Sequence, residues 1–192
     1  MNSFSFYLPI GFEHILDING IDHILFITAI CLPYTWKNWR TLLWLVTAFT
    51  IGHSITLALS TLKWVTVSSK WIEFIIPITI AYSALFNLLP QKDSTKLQPM
   101  QYFITLVFGL VHGLGFSTLL KSMLGTESSI LLPLLGFNVG LELGQLIIVS
   151  LATTITALVV NFFRTKQKNY ISFVCGGICF LAIQMAIQRW PL

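Results

Sequence analysis

SSILLPLLGFNVGLELGQLIIVSLATTITALVVNFF, residues 128–163, contains a single ionisable side chain, Glu142. An uncharged run of this length has nothing to solvate it in water. A hydrocarbon core about 30 Å thick needs roughly 20 apolar residues for one helical crossing. The run exceeds that need, so the reading is a membrane helix with something before it. Pro133 and Gly136 predict a short leading helix and then a crossing over Phe137–Phe163.

The rest of the chain has the same character. Of its 192 residues 55% are hydrophobic and 9% charged, and the mean hydropathy is +0.81. A soluble domain carries about 25% charged residues, so lipid is the expected solvent. The expected fold is all-α: a polytopic transmembrane helix bundle of about six spans in a single integral membrane domain, residues 1–192. Further spans are predicted over Ile21–Pro33, Trp39–Leu62, Trp71–Leu89 with a kink at Pro77, Met100–Met123 and Ile171–Trp190. Before them, Phe4–Leu16 reads as a short interfacial or re-entrant segment broken by Asn19-Gly20. Gln91–Pro99 reads as a polar loop. Trp36, Trp39, Trp64, Trp71 and Trp190 read as interface anchors. Cys31, Cys175 and Cys179 lie in apolar runs and predict no disulfide framework. Cys175 and Cys179, with Gly176 and Gly177 between them, read as small packing residues. The first residues lack a basic region and a small-residue cleavage site, so no removable signal is predicted.

The net charge of +4 does not make a nucleic-acid surface, because the basic residues are scattered in short loops. They sort by side instead. Lys37, Arg40, Lys92, Lys96, Arg164, Lys166 and Lys168 fall on one side, and Lys63, Lys70, Lys121 and Arg189 on the other. The positive-inside rule places the larger group in the cytoplasm and both termini outside, in a bacterial-type inner membrane.

Against this background the ionisable residues stand out. Asp93 and Glu127 fall in loops. All four histidines, His14, His23, His53 and His112, lie in or beside apolar segments, as do Glu13, Asp17, Asp22, Glu73 and Glu142. Such a residue within a membrane span costs about 2.5–3.5 kcal/mol and so marks a functional interior. The topology carries these groups toward the outer half of the bilayer. No lysine or arginine lies deep in a span to pair with the acids, so a cation from outside the chain is the expected partner. Imidazole with carboxylate suits divalent zinc, nickel, cobalt, copper or iron better than magnesium or calcium. Asn138, Glu142 and Gln145 share one helix stripe at i, i+4 and i+7. Gly140 and Gly144 form a second stripe, and Gly109 and Gly113 a third, each open to a close neighbour.

Plainer roles compete for each residue. Asp17 and Asp22 could cap helix starts, Glu13 could face water, Glu73 could pair with Lys70, and Asn138 and Gln145 could join helices. Ser54 reads as a back-bonding serine rather than a nucleophile.

Four stretches together resemble the HupE/UreJ family of small membrane proteins: GFEHILDINGIDHILF (11–26), FTIGHSITL (49–57), FGLVHGLGF (108–116) and FNVGLELGQ (137–145). Glu73 with Asn87 is similar to the family's third-span pattern. The resemblance implies nickel or cobalt uptake, with His14, Asp22, His23, His53, His112 and Glu142 as metal ligands. Asp17, Glu73, Asn138 and Gln145 would then orient the imidazoles. The spacing between His14 and Asp22 is longer than in the better-known nickel permeases.

A divalent-metal permease is therefore the leading expectation. A membrane-embedded zinc hydrolase acting on lipid or membrane peptide is the runner-up, with Glu142 or Asp22 as general base, although no His-Glu-x-x-His motif is present. A noncatalytic metal-binding membrane protein is the third. Expected partners are lipid and a metal ion, and the sequence does not set the oligomeric state. A permease needs polar steps in the inner half, where no second polar cluster is evident and Thr47, Thr105 and Ser150 are modest candidates; that gap favours the hydrolase, and the resemblance favours the permease.

Overall fold

The computed structural model describes residues 3–89, 99–124 and 129–192. Among them there are no strands, and seven α-helices build a membrane bundle: α1 (Ser3–Leu16), α2 (Asp22–Cys31), α3 (Trp39–Thr61), α4 (Ser69–Phe86), α5 (Pro99–Leu124), α6 (Leu131–Phe162) and α7 (Gln167–Gln188). Five of these, α3 to α7, are long and apolar enough to cross a membrane. Lys92, Asp93 and Lys96 of the expected loop, and Glu127, lie outside the described residues.

The 128–163 stretch departs from expectation. It is one continuous helix, α6, of 32 residues, without a separate leading helix. Pro133 does not break it because it sits in the first turn, where its missing N–H has no intrahelical partner to lose. Gly136 bends nothing; it is a contact point, and a Cβ there would strike the Phe4 carbonyl. The crossing expected over Ile21–Pro33 is also shorter than expected. Helix α2 has ten residues, about 15 Å at 1.5 Å per residue, half of what a bilayer core requires. The expected N-terminal segment is helix α1, laid along α6.

Two parallel helix pairs form the frame, and glycine sets both. On α6, Gly136, Gly140 and Gly144 meet Phe4, Leu8, and Phe12 with Ile15 in turn, and Gly11 of α1 returns the contact against Phe137. Since both numberings rise together, α1 and α6 run the same way. On α5, Gly109 and Gly113 meet Phe49 and His53, and Gly52 of α3 returns the contact against Leu106. In both pairs backbone lies on backbone, the contact mode of small-xxx-small membrane helices.

Helix α4 pairs with α7 in the opposite sense. Trp190 meets Phe74 with ring centroids 5.0 Å apart, and at the far end Asn87 Nδ2 lies 4.0 Å from Cys175 Sγ. The cysteines pack against α4 as expected, with the Cys179 thiol donating to Ala81 O at 3.7 Å. Gly176 and Gly177 take no part, because open space surrounds them.

The C-terminal carbonyls of α2 would be orphaned at membrane depth without partners. Asn87 donates to Ala29 O, and Gln167 to Leu32 O at 3.2 Å. Just beyond, the Tyr34 hydroxyl donates to Gln101. Burial pushes the Tyr34 phenol up to about 12, so it keeps the proton it donates. The five expected anchor tryptophans are all exposed.

Candidate metal centre

The two glycine contacts place two histidines. On α3, Phe49 and His53 are i, i+4 and stack, with centroids 5.9 Å apart. On α5, Phe108 and His112 repeat the arrangement at 6.3 Å. Gly109 and Gly113 allow the two helices to close until both rings face the same interior. His14 arrives from the last turn of α1 and His23 from the first turn of α2. The break at Leu16–Ile21 turns the chain so that both point inward.

The four rings meet. His14 and His23 have centroids 4.8 Å apart, His23 and His112 also 4.8 Å, and His14 and His53 6.4 Å. Phenylalanines enclose them: Phe116 lies 4.1 Å from His14 and Phe137 5.9 Å from His53.

Six imidazole nitrogens are buried without a well-formed hydrogen bond: Nε2 of His14 and His112, and both nitrogens of His23 and of His53, although Asn138 stands near the His53 ring and the Gly20 backbone near the His23 ring. Buried polar atoms are normally satisfied, so a cluster of orphans calls for a missing partner. His112 shows which kind. Its Nδ1 lies 3.0 Å from Phe108 O and must carry the proton that bonds there. That leaves the Nε2 lone pair pointing into the cluster, a ready metal donor. Among the described residues, however, no three His, Cys, Asp or Glu side chains already form a coordination shell. The rings are adjacent, but their donor atoms have not converged on one point.

A cleft of about 260 Å³ opens onto this cluster, lined by His14, His23, His112, Asp17, Asp22 and Glu73, with Arg189 at its wall. His53 is fully buried behind it. Asp17 does cap, its Oδ1 accepting from Asn19 N at 2.9 Å. Glu73 is exposed, and no ion pair joins it to Lys70 among the described residues. Glu13 is exposed on an outer groove beside His14. Asn138 lies beside His53, and its Nδ2 donates to Leu134 O. Ser54 back-bonds to Thr50 O at 2.7 Å.

Two expectations change here. Asp22 caps nothing, and it has an internal cation as a partner: Arg189 Nη1 holds its Oδ2 at 2.9 Å, while its Oδ1 is left without one. The sequence places both at the same end of the bundle, but 167 positions apart, and only the antiparallel packing of α7 joins them. Glu142 is not among the residues lining the cleft. Its Oε1 accepts from Thr47 at 2.7 Å, and beside it Thr50 donates to Gln145 Oε1 at 2.9 Å. These two hydrogen bonds join α3 to α6 and bring Thr47, a candidate for an inner-half polar step, together with Glu142 and Gln145, which were expected at the metal centre. Farther along α6, Thr153, Thr156 and Asn161 line a groove of about 460 Å³ at the opposite end. Thr105 lies apart from this line, with its hydroxyl donating to Gln101 O at 2.7 Å.

No curated protein and no solved structure matches the chain. A family profile does: the one described as HupE / UreJ protein covers residues 1–191, from the paired helices α1 and α6 through the histidine cluster to the end of α7, and the chain belongs to that family.

Proposed function

We propose that this protein is a permease for a divalent transition-metal ion, nickel or cobalt first and zinc next. The supporting observation is that His14, His23 and His112, from three helices and each with an unpartnered nitrogen, line one cleft together with Asp17, Asp22 and Glu73. Carboxylates at the mouth attract a hydrated cation. Imidazoles beneath replace its water and select for borderline transition metals. His53 and Asn138 stand behind His14, placed to orient the rings. Here the ion is the cargo.

A permease also needs a way out. The polar pairs Thr50–Gln145 and Thr47–Glu142 lie between α3 and α6, and α6 carries on from them to the groove at Thr153 and Thr156. Under the positive-inside rule the histidine end faces outward and that groove faces the cytoplasm. The direction of transport would then be inward across a bacterial-type inner membrane.

The test combines binding with transport. Purified protein is loaded with nickel, cobalt or zinc and its metal content measured by mass spectrometry, alongside His23→Ala and His112→Ala. The same proteins in liposomes are then assayed for uptake. Near-stoichiometric metal lost in both variants, together with uptake lost in both, supports the reading. Absence of metal under every loading condition overturns it.

A zinc hydrolase remains the second reading, because three imidazoles beside an open cleft leave room for a water molecule. Glu142 is not placed to serve as its base, so Asp22 would carry that role. Tightly held zinc that survives dialysis, without uptake, would favour it.

A further inference from the structure

The ion pair at the cleft needs its own explanation. A cation site with an arginine in its wall is opposed by its own charge. Yet Arg189 and Asp22 form the one ion pair among the described residues, and it stands where the cargo would enter.

We propose that Arg189 is an internal competitor for the metal, a tethered cation that holds Asp22 until a divalent ion displaces it. This inference rests on the permease reading. Asp22 lies next to His23 in sequence, and its second oxygen, Oδ1, is buried without a partner. The carboxylate is thus half committed to the guanidinium and half available to an ion at the imidazoles. A divalent ion bound there draws Asp22 with twice the charge of a guanidinium and repels Arg189. Sodium and potassium ions bring a single charge and little affinity for imidazole nitrogen, so they do not win the exchange. Arg189 therefore helps determine specificity: it raises the threshold for entry and rejects abundant monovalent ions.

The surrounding structure lets Arg189 leave. It follows the last residue of α7 and has left helical geometry, with φ −100° and ψ 20°. Helix α7 buries only Cys175, Ile178 and Ala182 among its residues. Beyond the ion pair, its last turn is held by the partly buried Met185 side chain against the core, by the Trp190–Phe74 contact and by the amides of Arg189 and Trp190 on Met185 O and Ile187 O. Metal entry should accordingly loosen the end of α7.

The experiment measures nickel, cobalt and zinc binding by calorimetry for the wild-type protein, Arg189→Gln and Arg189→Lys in detergent. Hydrogen exchange over residues 183–192 is followed with and without metal. Removing the competitor should tighten binding about fivefold, the value of a partly exposed ion pair. Metal should speed exchange in the wild type, whereas Arg189→Gln should exchange fast in both states. Arg189→Lys keeps a cation and should restore metal-dependent exchange, which separates a lost charge from a damaged helix end. Equal affinities with exchange unchanged by bound metal overturn the competitor and leave the permease reading standing. Failure of wild type and variants to bind any metal overturns both.

Discussion

The histidines are similar in sequence and unequal in place. His14, His23 and His112 line the cleft, whereas His53 is fully buried behind it. In the permease reading, loss of His23 or His112 removes a donor that would face the ion. Loss of His53 removes support, a change that typically costs about 10–100-fold in affinity. His53→Ala should therefore bind metal more weakly than wild type yet more tightly than His112→Ala, as calorimetry would show; the reverse order would place His53 at the ion. Glu142 separates binding from passage. Its carboxylate accepts from Thr47 outside the cleft, so Glu142→Gln should keep metal affinity within about twofold while liposome uptake falls. A large loss of binding would return Glu142 to the ligand set. The ion pair of Asp22 was not legible, because sequence spacing says nothing about a partner 167 positions away.

At the scale of the helix, glycine decides which elements touch. A Cβ at Gly109 would overlap the Phe49 carbonyl, and one at Gly140 the Leu8 carbonyl. Backbone cannot step aside as a flexible side chain can. Gly109→Ala and Gly140→Ala should each lose about 1–3 kcal/mol, the usual cost of overpacking, seen as a lower melting temperature in detergent. Gly176 is the control. Nothing lies within 4 Å of an added Cβ there, so Gly176→Ala should gain about 0.5–1 kcal/mol from helix propensity. Equal behaviour at all three sites would contradict the pairing of α1 with α6 and of α3 with α5. Spacing revealed that these glycines form stripes; it did not name the helix each stripe would meet. Pro133 was misjudged for a local reason: proline breaks a helix interior and suits a first turn, and the apolar run alone did not show where the first turn began.

For the whole molecule, the break between α1 and α2 controls the topology. The two short helices run the same way and together replace one long crossing, so the start of α1 and the end of α7 meet the same face of the bundle. Topology reporters fused to each terminus should report the same side of the membrane, and under the positive-inside rule the outer side. Termini on opposite sides would remove the α1–α2 arrangement. The sequence by itself determined the solvent, the helical class and which polar residues are candidates for a site. Each follows from local quantities: too few charges for water, apolar runs long enough to cross, and imidazoles too costly to leave in lipid without a purpose. Only the tertiary structure decided the grouping. It set three histidines on the cleft and one behind, joined Glu142 to Thr47, and brought Arg189 to Asp22. Those outcomes depend on which helix faces are pressed together. That choice is made by backbone contacts between segments far apart in the chain, which no local pattern encodes.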